Sequence, residues 1–372
     1  METYGLGLLD RYPDAWKVFL ILFLLTNIFT GLFYVLAKKR GWMPAIRSRD
    51  VHTTRKPRVG GLGMWAAALI GLVSVALYRS DLLDFTAAGA VNSSHILFGI
   101  IAGMAVVLGF GILDDLVGLP PWGQLVGQFL AATALILAGL QVSYLRLPFD
   151  HVIWMDRLIW HIGPYSILPL SSLFIYFWVI TMINVMNFFD GLDGLAGSVA
   201  MTASVVMLLV SLRLGFIGAA TLCLIIFGIT AGFLPWNWHP SKLFMGTVGS
   251  QLLGFMLGVV AIISGAKVAT AVLVLGIPVF DAVIVIIRRL IAHERPWQAD
   301  QRHLHHRLLK IGLSTPAVVI ITNVVAVVFG ILGLSSQQSS QKGLLTILLL
   351  LCMIGFIIIT YVLERKATEE VD

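Results

Sequence analysis

Apolar runs of roughly 20 residues return along the whole of this 372-residue chain, each long enough for a helix to cross a bilayer. About eleven can be marked: 16–37, 59–77, 95–113, 124–140, 168–187, 194–212, 216–234, 250–264, 269–287, 316–334 and 344–363. In hydrocarbon every backbone N–H and C=O must be paired inside the chain, so runs of this length are expected as helices. Charged residues make up 12% of the sequence, against about 25% in an ordinary soluble domain. The expectation is one all-α integral-membrane domain over 1–372, without a soluble domain, low-complexity tract or internal repeat. The runs at 124–140 and 250–264 are short and Gly-rich. The first run, about 22 residues, is too long for a signal-peptide core and lacks a small-residue cleavage site, so it reads as a span.

Lys and Arg set the expected orientation. With the N-terminus outside, the 38–58 loop would be cytoplasmic and carries Lys38, Lys39, Arg40, Arg47, Arg49, Arg55, Lys56 and Arg58. The 288–315 loop adds six more, and Lys242, Arg365 and Lys366 complete 17 basic residues inside against 8 outside. That asymmetry fits the positive-inside rule and puts the C-terminus in the cytoplasm. The net charge of +6 is therefore a topology signal, and no nucleic-acid module is visible. Cys223 and Cys352 both fall within spans, which argues against a disulfide framework or a zinc site.

The polar residues gather on the same side. Asn184, Asn187, Asp190 and Asp193 follow one another at intervals of three, a spacing that places neighbours on adjacent turns of one helix face. Acids in such a setting are expensive and point to function. Asp114 and Asp115 end the third span, and the turn from Pro235 to Ser250 carries His239, Lys242, Phe244 and Gly246. Asp281 lies seven residues before Arg288, and His303, His305, His306 and Arg307 occupy the last large inner loop. Each has a plainer reading. Asp114 and Asp115 could cap a helix end, Asp281 could pair between helices, the histidines could form a solvated basic face, and Gly60, Gly61 and Gly63 could serve close packing. None of these explains why the clusters share one side, with acids facing bases.

Carboxylates and amides suit a hard divalent cation such as magnesium, which takes oxygen ligands and shares them with phosphates. Arg, His and Lys supply donors for phosphate oxygens. The combination suggests phosphoryl chemistry, with a lipid phosphate meeting a soluble nucleotide diphosphate at the inner leaflet. The external 141–167 segment, with Tyr144, Trp154, Trp160 and Tyr165, is expected at the headgroup interface or, less simply, in a homodimer contact.

Six ordered motifs within residues 38–310 carry a resemblance. They are Val51-His52 through Lys56-Pro57-Arg58-Val59-Gly60-Gly61, Gly111-Ile112-Leu113-Asp114-Asp115, the Asn184–Gly194 run, His239-Pro240 through Phe244-Met245-Gly246 to Gly249-Ser250, Pro278 to Asp281, and His303-Leu304-His305-His306-Arg307. The chain resembles the polyprenyl-phosphate N-acetylhexosamine-1-phosphate transferases, bacterial inner-membrane enzymes that start teichoic acid, O-antigen and related glycans. They are relatives of the phospho-MurNAc-pentapeptide translocase, and the last motif is more similar to the GlcNAc-1-phosphate branch. The resemblance implies that undecaprenyl or another polyprenyl phosphate attacks the β-phosphorus of a UDP-N-acetylhexosamine, with Mg2+ as cofactor, and that UMP leaves. It implies catalytic roles for Asp114, Asp115, Asp190 and Asp193, and metal-ligand positions at Asn187, Asp190 and Thr247. It also implies substrate contacts from Lys56, Arg58, Gly191, Phe244, His303, His305, His306 and Arg307, with the Phe244 ring against uracil.

Two positions depart from the family pattern. Thr247 stands where an aspartate usually binds magnesium, and Gln124 stands where a lysine usually lies near the diphosphate. One anion and one cation are missing from the same pocket. Retuned chemistry is one consequence; a relative that binds polyprenyl phosphate or UDP-sugar without turnover is the other. A lipid transporter is a third reading, though transporters place polar sites near the midplane between repeated halves.

Overall fold

The computed structural model describes residues 15–43, 55–86, 92–146, 151–162, 165–264, 268–295, 303–336 and 338–369. Arg47, Arg49, Val51 and His52 of the first basic loop lie outside these residues, as does the 296–302 part of the second. All eleven apolar runs are helical. In chain order the helices are α1 (Ala15–Arg40), α2 (Gly60–Tyr78), α3 (Ser93–Val117), α4 (Pro121–Leu137), α5 (Pro169–Phe189), α6 (Leu195–Leu214) and α7 (Ile217–Asn237). They continue with α8 (Gly246–Ile263), α9 (Val268–Val274), α10 (Gly276–Ile291), α11 (Leu304–Lys310), α12 (Thr315–Ser335) and α13 (Ser339–Glu369).

Nine of these are long and apolar enough to cross a membrane. The run expected at 269–287 is instead two helices, α9 and α10, bent by 86°, which make a tenth span if counted together. The run at 124–140 is the 17-residue α4. Local chemistry sets several ends. Pro121 and Pro169 open α4 and α5, where proline's missing N–H costs nothing. Gly118, at φ 69°, stops α3 in a left-handed cap.

Helix α8 is the axis of the bundle. Its spanning window is 100% buried within the protein, whereas those of α1 and α13 are 17% and 22% buried and face outward. Glycine permits the closest approach to that axis: a Cβ on Gly111 of α3 would sit 2.8 Å from the Val248 Cα. The 141–167 segment is not simply an aromatic stretch. It forms two antiparallel hairpins, β1 (Tyr144–Arg146) with β2 (Val152–Trp154) and β3 (Trp160–Ile162) with β4 (Tyr165–Ile167). Tyr144 and Trp154 pair across the first, and Trp154 and Trp160 remain exposed.

Candidate active site

The acidic pair at the end of α3 docks on the N-terminus of α8. Asp115 accepts the Thr247 N–H on both carboxylate oxygens at 3.0 Å, with the Val248 N–H at 3.5 Å. A helix N-terminus offers unpaired N–H groups and a positive dipole end, so a carboxylate is favoured there. Gly246 makes this fit possible: at φ 70° it is left-handed, and a Cβ would lie 2.6 Å from Asp115 Oδ2. Asp114 is buried and accepts from the Thr247 hydroxyl at 2.6 Å, the Gln124 amide at 2.8 Å and the Leu119 N–H at 2.9 Å.

A short backbone ladder joins the first motif to this junction. The Phe244 N–H donates to Pro57 O at 2.9 Å, Gly60 N–H to Phe244 O at 3.0 Å and Gly61 N–H to Met245 O at 2.8 Å. It carries Lys56 and Arg58 to the site. The Lys56 ammonium lies 5.2 Å from the centre of the Phe244 ring and donates to the Ser241 hydroxyl at 3.0 Å.

The four residues spaced by three do not act as one face. Helix α5 ends at Phe189, and Asp190 caps it at ψ 56°, so the helical relation stops there. Asn184 turns to α4, exchanging amide hydrogen bonds with Gln128 at 2.6 and 3.2 Å. Asn187 Oδ1 accepts from the Ser250 hydroxyl at 3.0 Å. Asp193 is bound into the 239–241 turn: it accepts from the Ser241 N–H at 3.0 Å, the Ser241 hydroxyl at 2.7 Å and meets His239 Nδ1 at 3.1 Å. Burial would raise its pKa, but the two Ser241 hydrogen bonds, Lys56 and His239 together bring it below the usual carboxylate range.

Asp190 has the opposite environment. Its carboxylate accepts no hydrogen bond among the described residues. Burial pushes its pKa up to about 7, with Asp115 and Asp193 raising it further and Arg58 opposing. Next to it, Gly191 faces the histidine loop, where a Cβ would run into His305 Nε2.

Asp281 anchors that loop. It accepts the Leu304 N–H at 2.8 Å at the start of α11 and pairs with His303 Nδ1 at 2.7 Å. His303 stacks on His305 with centroids 5.7 Å apart and planes within 8°, and His306 lies 4.3 Å beyond. His305 is buried, and neither ring nitrogen has a partner among the described residues. Burial, reinforced by His306 and His303, holds its pKa well below the ordinary imidazole value, so the ring is neutral. Arg307, also on α11, is buried.

All the sequence-expected site residues are thus placed at one end of the bundle. Residues to which the sequence pattern assigned no role hold them there. Asn237 bridges two turns, accepting the Gly194 N–H at 3.0 Å and donating to Leu243 O at 3.1 Å. Ser241 and Ser250 hold Asp193 and Asn187. Small polar residues in turns were the available signal, but their partners lie 43 to 63 residues away in sequence.

The oxygen donors Asp190 and Asn187 suit a hard cation, which would relieve the repulsion that Asp115 and Asp193 place on Asp190. Among the described residues, no three of His, Cys, Asp and Glu form a metal-binding group. A cation here would therefore take much of its coordination from phosphate and water, as magnesium often does.

Comparison with known proteins gives a consistent result. Residues 97–265 match glycosyl transferase family 4. The chain is 30% identical over 325 residues to a decaprenyl-phosphate N-acetylglucosaminephosphotransferase of Mycobacterium tuberculosis, covering 80% of this chain and 76% of that protein. It is 27% identical over 319 residues to a probable undecaprenyl-phosphate N-acetylglucosaminyl 1-phosphate transferase of Bacillus subtilis, covering 84% and 82%. A phospho-N-acetylmuramoyl-pentapeptide-transferase of Lacticaseibacillus paracasei is 29% identical over 253 residues, covering 65% and 73%.

Proposed function

The chain belongs to glycosyl transferase family 4, among the polyprenyl-phosphate N-acetylglucosamine-1-phosphate transferases, and from that premise we propose how its own residues carry out the transfer. The enzyme moves GlcNAc-1-phosphate from UDP-GlcNAc to a polyprenyl phosphate. A phosphate oxygen of the lipid forms a bond to the β-phosphorus, the bond from that phosphorus to the bridging oxygen breaks, and UMP leaves with that oxygen. The observation that supports this reading best is the convergence of Asp114, Asp115, Asp190, Phe244 and His305 from four separate chain segments on one end of the bundle.

Asp114 and Asp115, held rigidly where α3 meets α8, align the lipid phosphate. The Phe244 ring, with the Lys56 ammonium over it, provides a flat face for uracil. His305, neutral and with neither ring nitrogen partnered among the described residues, takes a hydrogen bond to the sugar or diphosphate, and Arg58 and Arg307 add positive charge. Most of the catalysis is then alignment and charge stabilisation on a preformed frame. Magnesium would be held by Asp190 and Asn187, with Thr247 offering at most a neutral oxygen, and when bound it would neutralise the diphosphate.

The site end faces the cytoplasm in this reading, at a bacterial inner membrane, which the count of 17 basic residues against 8 supports. Purified protein with magnesium, UDP-GlcNAc and undecaprenyl phosphate should release UMP, and removing the magnesium should stop it. Retained UDP-sugar binding with no UMP release would instead mark a ligand-binding relative.

A further inference from the structure

Gln124 and Thr247 come from different helices, yet both give their side-chain hydrogen to the same carboxylate. The Thr247 hydroxyl reaches Asp114 Oδ2 at 2.6 Å and the Gln124 amide reaches Oδ1 at 2.8 Å, with the Leu119 N–H also on Oδ1. All three donors are uncharged, so they fix the direction of Asp114 without neutralising it. This is unusual for a carboxylate buried to 4% exposure, where a cation is the common companion.

The docking of α3 on α8 does not rest on these side chains alone. Asp115 is held by backbone N–H groups of Thr247 and Val248, which remain whatever side chain stands at 247. A change at Thr247 or Gln124 can therefore release Asp114 while the helix junction stays formed. The same geometry couples the two positions. An acid at 247 would press a second carboxylate against Asp114 Oδ2, and a lysine at 124 would bring a cation to its other oxygen.

We propose that Gln124 and Thr247 are positioning residues acting as a matched pair, an uncharged clamp that aims Asp114 at the lipid phosphate. This rests on the transferase reading above and adds to it the residues that set Asp114's orientation.

The test uses the full-length protein in detergent, with UMP release for kcat and KM and thermal unfolding as a second readout. Thr247→Val, which keeps the shape and removes the hydroxyl, is expected to lower kcat about 10- to 100-fold, the scale for a hydrogen bond to a charged group. Its KM for UDP-GlcNAc should change less than about threefold, and Thr247→Ser should recover most of the loss. Thr247→Asp and Gln124→Lys should each be impaired. The double variant should exceed the product of the two single effects by at least about tenfold, in turnover and with a matching recovery in melting temperature.

Additive effects in the melting cycle, or a Thr247→Val variant with unchanged kcat, would overturn the clamp. So would a Thr247→Asp variant as active as the parent. If the parent releases no UMP, the transferase reading falls, and the melting cycle still decides the clamp by itself.

Discussion

The two halves of the site are built on opposite terms. On one side, Asp114, Asp115 and Asp193 are saturated with hydrogen bonds from helix α8, Gln124 and Ser241. On the other, among the described residues, the half-buried Asp190 carboxylate accepts no hydrogen bond and neither nitrogen of the fully enclosed His305 ring has a partner. A buried polar group without a partner costs about 1–3 kcal/mol, so the protein carries that penalty at His305 until something fills the gap. The contrast separates frame from receptor. The saturated half gives fixed geometry, and the open half is where a ligand or cation can contribute most by binding.

This division predicts that lesions on the two sides differ in sign for stability while agreeing for activity. The largest effect is expected for Asp115→Ala, which should cut UMP release on the order of a thousandfold, the upper range for removing one group that stabilises reacting charge. It should also lower the melting temperature, because the α8 N-terminus loses its acceptor.

Asp190→Asn should reduce turnover by several hundredfold, on the same scale, yet stabilise the magnesium-free protein. The folded pKa of about 7 lies above the ordinary 3.8, so the unfolded chain releases the proton first and the fold loses stability as pH rises between those values. The melting advantage of the Asn variant should therefore be small near pH 4, grow to about pH 7 and level off above it. Saturating magnesium should remove that advantage.

Asp193→Ala should lower kcat/KM about a hundredfold, a loss of alignment transmitted through the detached 239–241 turn. Its pH dependence runs the other way. The folded pKa is depressed, so the parent's stability margin over this variant is present above the ordinary carboxylate value and shrinks as pH falls below it. The smallest effect should come from His305→Phe. A roughly tenfold rise in KM for UDP-GlcNAc is expected from one lost ligand hydrogen bond, together with a higher melting temperature. If His305→Phe instead unfolds the protein, the open half is scaffold and the contrast collapses.

Much of this was legible from residues alone. The apolar runs at 16–37 and 250–264 became α1 and α8, and the motifs around Asp114, Asn187, Phe244 and His305 do meet. The three-residue spacing from Asn184 to Asp193 does not define one helix face, because the helix ends at Phe189. Asn184 instead pairs with Gln128 of α4, and Asp193 is hydrogen-bonded into the 239–241 turn. The bend between α9 and α10 and the hairpins from Tyr144 to Ile167 also escaped the apolar pattern, which records hydrophobicity and not chain direction.

Span length, charge asymmetry and motif order are properties of short windows, so residue order alone sets a helical membrane bundle with its polar residues at the loop ends. Which carboxylate is clamped and which is left open was decided only by tertiary structure. That outcome depends on partners such as Thr247 for Asp114, 133 positions away along the chain, and on the desolvation that arises once the helices close around them.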